Sequence, residues 1–270
     1  SYAKKVGYKA NSQASFLRSQ KSKTIGVIIP DITNPFFTKI LKAIMTEAHK
    51  NNYSIILGNS KESLSLEEKL VNQFLQQKVD GILMSLANDT SQYTHLENIL
   101  ADETVLVLFD KVAKLINCSK VIVDDKDGGF KATEHLIKKG CTKIAHFRGG
   151  LNPQNSIDRY LGYREALSVN KISFDPNKVL VTSSGSIEQG YILAKKLFES
   201  GIEIDGLFCI TDTVALGAMT FFKEQKIDIP NEISVIGFSN TMFGNIVHPS
   251  LSTIDQKASK IGAEAMRIFL

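Results

Sequence analysis

Thr24-Ile25-Gly26-Val27-Ile28-Ile29 runs directly into Pro30-Asp31-Ile32-Thr33-Asn34-Pro35-Phe36-Phe37. The first six residues form an apolar, β-branched run of strand length. The next four are turn residues. Asn34-Pro35 then reads as a helix N-cap followed by proline at the first helical position, where its missing N–H costs nothing. Strand, turn and helix in immediate succession make the first half of a βαβ unit, and the same alternation recurs along the chain. Strands are expected at 24–29, 54–58, 81–85, 105–109, 120–123, 143–147, 179–182, 206–210 and 233–237, and helices at 35–51, 66–77, 128–139, 159–170, 187–200, 214–225 and 257–270. Lys138-Lys139-Gly140 and Ser200-Gly201 read as helix ends. Strands that are apolar throughout, rather than alternating, belong to parallel sheets covered on both faces. Nine strands over 270 residues favour two doubly wound lobes over one sheet. In such folds ligands bind beyond the carboxyl ends of the strands.

Composition agrees with a large folded core: 43% hydrophobic and 22% charged residues, with no apolar run near the roughly 20 residues of a membrane helix. Cys118, Cys141 and Cys209 have neither zinc-site nor redox spacing and read as small apolar fillers in a reducing cytoplasm. The net charge of +4 is uneven. Lys4, Lys5, Lys9, Arg18, Lys21 and Lys23 fall in residues 1–23, where no acidic residue occurs. This arm reads equally as a phosphate-contacting element or as a solvated tail. Both ends look cut: Ser1-Tyr2-Ala3-Lys4-Lys5 resembles the tail of a helix, and Arg267-Ile268-Phe269-Leu270 carries no stop signal.

Catalytic signatures are missing from the sequence. No GxGxxG follows a strand. Gly185 and Gly190 have P-loop spacing, but Tyr191 stands where the lysine is required. There is no GxSxG or HExxH, and the five histidines are scattered. Neither an enzyme, a cofactor nor a metal site is expected.

The segment Pro30 to Phe37 resembles the opening of lactose-repressor/galactose-repressor (LacI/GalR) family regulators and of the related periplasmic sugar-binding proteins. The resemblance continues at family spacing through Val79-Asp80-Gly81-Ile82, Val123-Asp124-Asp125 with Gly128-Gly129, Arg159-Tyr160-Leu161-Gly162-Tyr163, Asp212 with Ala215-Leu216-Gly217-Ala218, Val235-Ile236-Gly237-Phe238 and Pro249-Ser250-Leu251-Ser252-Thr253-Ile254. Gly7 to Arg18 resembles the family's hinge helix and the last turn of its headpiece, of which the rest is missing here. The resemblance assigns DNA contacts to Asn11, Ser12, Ala14, Leu17 and Arg18, with Leu17 as a minor-groove wedge. A short linker helix packed on the core is the alternative.

The resemblance implies two periplasmic-binding-protein-like lobes of type I. These are residues 24–122 plus 253–270, and 123–252, preceded by the hinge at 1–23. Crossings between lobes are expected near 121–124 and 249–253. Between the lobes it implies an effector cleft lined by Asn34, Phe36, Phe37, Asp110, Arg159, Thr211, Phe238, Ser239 and Gln256. Phe36 and Phe37 read also as core, and Arg159 as the start of its helix with Asp158 as partner. Thr211 and Ser239 depart from the amide and carboxylate usual in sugar-binding members, which puts an ordinary neutral hexose or pentose in doubt. The implied function is a ligand-responsive transcriptional repressor, a cytoplasmic homodimer that binds operator DNA and a sugar-like effector. A solute-binding receptor of a transporter is the alternative.

Overall fold

The computed structural model describes residues 21–270, so the hinge residues 11–18 lie outside the described part. The first sheet is built from β1 (Thr24–Ile29), β2 (Ser54–Asn59), β3 (Gly81–Met84), β4 (Val105–Phe109) and β5 (Ser119–Val121), with α1 (Pro35–Lys50), α2 (Leu64–Gln76) and α3 (Thr94–Ala101) between them. Its strand order is β2-β1-β3-β4-β5, with every pairing parallel. The second sheet takes β6 (Ile144–Arg148), β7 (Val179–Val181), β8 (Gly206–Cys209), β9 (Ser234–Phe238) and β10 (Ser252–Ile254). They lie in the order β10-β9-β8-β6-β7, again all parallel. The chain enters this lobe through α4 (Asp125–Lys138) and builds it with α5 (Gln154–Val169), α6 (Ile187–Glu199) and α7 (Asp212–Glu224). It then returns to the first lobe as α8 (Ala258–Phe269). The two doubly wound lobes expected from the sequence are therefore present.

Side chains along each strand alternate between the two covering layers. Ile25, Val27, Ile29, Val107 and Phe109 meet α1 and α8, whereas Ile28, Ile82, Met84 and Leu108 meet α2 and α3. Each such side chain contributes about 1.5–3 kcal/mol by leaving water. In the second lobe the paired helices approach at glycines. A Cβ on Gly162 of α5 would lie 2.1 Å from the Lys126 carbonyl of α4, and one on Gly217 of α7 would lie 1.9 Å from the Ile187 carbonyl of α6. Only a residue without a side chain fits at either crossing.

Two differences from the sequence reading concern the connections. The second passage between lobes falls after β10, at Asp255, Gln256 and Lys257, because Thr253 and Ile254 pair with Gly237 and Phe238 in the second sheet. The first passage, after Val121, lies where it was expected. Helix α3 was not anticipated; its single turn of buried residues, His95, Leu96 and Ile99, is too short for a periodic signal. No helix among the described residues is long and apolar enough to cross a membrane.

Candidate effector cleft

The carboxyl ends of both sheets face each other across a cleft, and the groups that line it sit where strands end and helices begin. On the first lobe, Asn34 caps α1 by accepting the Phe36 N–H at 2.9 Å. Phe36 and Phe37 follow at once, edge to face with ring centroids 5.3 Å apart. Both line the cleft and both belong to the first lobe's core. Asp110 follows β4 with φ of 58°, an energetically costly conformation for a residue other than glycine, and one that clusters at ligand sites. Burial pushes its carboxyl up to about 6, against the pull of the Arg159 guanidinium.

On the second lobe Arg159 is 3% exposed. Its Nε donates to Asp125 Oδ1 at 2.8 Å, Nη1 to the Ile210 carbonyl at 2.9 Å and Nη2 to Gln256 Oε1 at 3.0 Å. The guanidinium lies 3.7 Å above the Phe238 ring. Burial raises the Asp125 carboxyl pKa, and Arg159 opposes the rise. Thr211 caps α7 through the Val214 N–H at 3.3 Å. Ser239, with φ of 133°, accepts from Gln256 Nε2 at 2.9 Å. Gln256, in the second passage between lobes, thus ties Arg159 to Ser239.

Eight of the nine cleft residues expected from the sequence line this cavity, together with Glu62, Asn88, Lys111, Gly149, Gly150, Asn155 and Ser156 among others. Phe238 does not line it. Fully buried, it is the platform beneath the Arg159 guanidinium. The expected helix start at Arg159 is also corrected: α5 begins at Gln154, so Arg159 lies in its second turn and does not oppose the helix dipole there. Its carboxylate partner is Asp125; Asp158 instead pairs with Lys114 at 3.5 Å.

The largest group missed by sequence reasoning is Lys111. Its ammonium donates to both Glu62 oxygens, at 2.7 and 2.6 Å, and to Asn88 Oδ1 at 2.8 Å. All three residues sit in loops immediately after strands, the signal that could have found them. Contacts across the cleft join the lobes in this arrangement: Asn155 Nδ2 donates to Asp110 Oδ1 at 3.3 Å, and Lys39 Nζ to the Asn240 carbonyl at 2.7 Å. Among the described residues no three His, Cys, Asp or Glu side chains converge as a metal site.

Residues 22–270 match the family described as periplasmic binding proteins and sugar binding domain of the LacI family. The chain belongs to this family. It is 31% identical over 267 residues to a protein named ribose operon repressor from Halalkalibacterium halodurans, covering 99% of this chain and 78% of that one. Among solved structures, the transcription regulator CcpA of Lactococcus lactis superposes with a TM-score of 0.84 at 30% identity, covering 91% of this chain and 89% of that one. A LacI-family transcriptional regulator from Enterococcus faecium with bound ribose superposes with a TM-score of 0.79 at 27% identity, over 91% of this chain and 88% of that one. These LacI-family relatives are regulators by name, which favours a regulator over a transport receptor or an enzyme.

Proposed function

We propose that this LacI-family chain is the effector-binding core of a transcriptional repressor that holds a small, sugar-like effector between its lobes and alters its grip on operator DNA in response. The observation that carries the proposal is a cleft lined from both lobes by polar and aromatic side chains, with direct bonds between the lobes. A ligand there touches both lobes, so it binds their closed and open arrangements with different affinity, which is what shifts an equilibrium between them. The effector-contacting set is Asn34, Phe36, Phe37, Asp110, Arg159, Thr211, Ser239 and Gln256, with Phe238 supporting Arg159. Asn11, Ser12, Ala14, Leu17 and Arg18 would contact DNA from the hinge, and the protein would act in the cytoplasm. A homodimer accords with two-half-site operators and with the exposed apolar side chains of Met242 and Ile246. The test is selection of bound fragments from genomic DNA by the product of the whole gene. Enrichment of an inverted repeat is expected. Recovery of DNA without sequence preference would count against a regulator.

A further inference from the structure

Four charged side chains line the cleft, Glu62, Asp110, Lys111 and Arg159, and both cations already have a carboxylate partner. Arg159 is paired with Asp125, which does not itself line the cleft, and Lys111 with Glu62. The remaining carboxylate, Asp110, among the described residues meets the Asn155 amide at hydrogen-bond distance. A phosphate or carboxylate entering this space would find its two possible counter-ions committed.

Helix N-termini are the other groups that hold anions, and five of them border the cleft. Three are occupied by their own caps: Asn34 on α1, Ser186 on α6 and Thr211 on α7. At α2 the Leu64 N–H is taken by the Asp89 carboxylate. The fifth, at α5, opens at Pro153 without a side-chain cap. There the negative charge is supplied from the other lobe, because Asp110 is the group that Asn155 of this first turn holds.

One polar atom in the same turn has nothing to bond. Ser156 is 2% exposed, lines the cleft, and its hydroxyl is buried with no hydrogen-bond partner among the described residues. Gly149 keeps the space before it open, since a Cβ there would lie 3.1 Å from that oxygen. An unpaired buried hydroxyl destabilises the ligand-free protein, and a ligand hydroxyl would relieve it.

We propose that the cleft selects an uncharged polyol over its phosphorylated or carboxylated counterpart, and that Ser156 and Asp110 are determinants of that choice. The inference rests on the effector cleft proposed above. Three matched sets test it by calorimetry and melting temperature: ribose against ribose 5-phosphate, fructose against fructose 6-phosphate, and glucose against gluconate and glucose 6-phosphate. At least one neutral sugar is expected to bind at least tenfold more tightly than its anionic partner. Ser156→Ala should weaken that sugar about tenfold while the ligand-free melting temperature holds or rises. An anionic member binding as well as or better than its neutral partner overturns the selection and leaves the effector cleft standing. Silence from every sugar overturns both. Unchanged affinity in Ser156→Ala removes Ser156 from the determinants.

Discussion

Replacing Arg159 by methionine is the perturbation whose outcome the structure fixes most closely. The guanidinium and the Asp125 carboxylate, 3% and 7% exposed, meet at 2.8 Å. With charge centres about 4 Å apart and an effective dielectric of about 20, their attraction is about 4 kcal/mol. Methionine also leaves the Ile210 carbonyl and Gln256 Oε1 without their donor, while its sulfur retains part of the packing on Phe238. Breaking a buried pair on one side costs about 3–5 kcal/mol, which for a chain of this size lowers the melting temperature by roughly 6–20 °C. The loss has a pH signature. Burial already raises Asp125, and without Arg159 it rises further above its unfolded value. The variant's Asp125 then takes up a proton on folding, so the deficit shrinks at pH 5 and is full at pH 8. Combining Arg159→Met with Asp125→Leu removes the orphaned carboxylate and should restore about 2 kcal/mol or more. Urea melts of the three proteins at both pH values decide the matter. A single variant that loses less than about 1 kcal/mol, or a double variant no better than the single one, refutes the reasoning.

Asp110→Asn should matter through pH. The carboxyl rises from 3.8 to about 6 on folding, so its contribution is favourable at low pH and is lost as pH climbs through that interval. The variant should match the wild type near pH 4 in urea melts and exceed it by up to about 3 kcal/mol above pH 7; equal stability at both pH values would contradict the assignment. Lys39→Met deletes the bond to the Asn240 carbonyl, and small-angle scattering should show a larger radius of gyration without ligand; an unchanged radius would remove Lys39 from the contacts that hold the lobes together. Gly162→Ala forces a Cβ to 2.1 Å from the Lys126 carbonyl and should cost at least about 1–3 kcal/mol, read by calorimetric melting, with a neutral result refuting the tight crossing of α4 and α5.

The architecture was legible because the inner strands are buried: β3 and β8 are buried at every residue, and such runs stand out without any partner in view. Helix starts were less legible, and the misses share a cause. Helices α4, α5 and α7 begin at Asp125, Gln154 and Asp212, each ahead of its expected start at 128, 159 or 214. The added residues are largely polar because those first turns approach the cleft rather than a core. A periodicity argument that follows apolar residues therefore starts each helix late, at the end where the candidate site lies. Arg159 drew attention as a cation at a helix start; it is instead a buried cation with a carboxylate 34 positions away in sequence. Lys111, Glu62 and Asn88 carried no periodic signal, and only the fold brings their three loops together.

The central claim is that occupancy of the cleft is linked to DNA binding. Fluorescence anisotropy on the DNA fragment the gene product selects, with and without a sugar shown by calorimetry to bind, tests it directly. The account predicts a change in DNA affinity of about fivefold or more, within the 5–150-fold usual for such coupling. That change should disappear in Phe37→Ala, which removes a cleft wall. Identical DNA affinity at saturating sugar would contradict it.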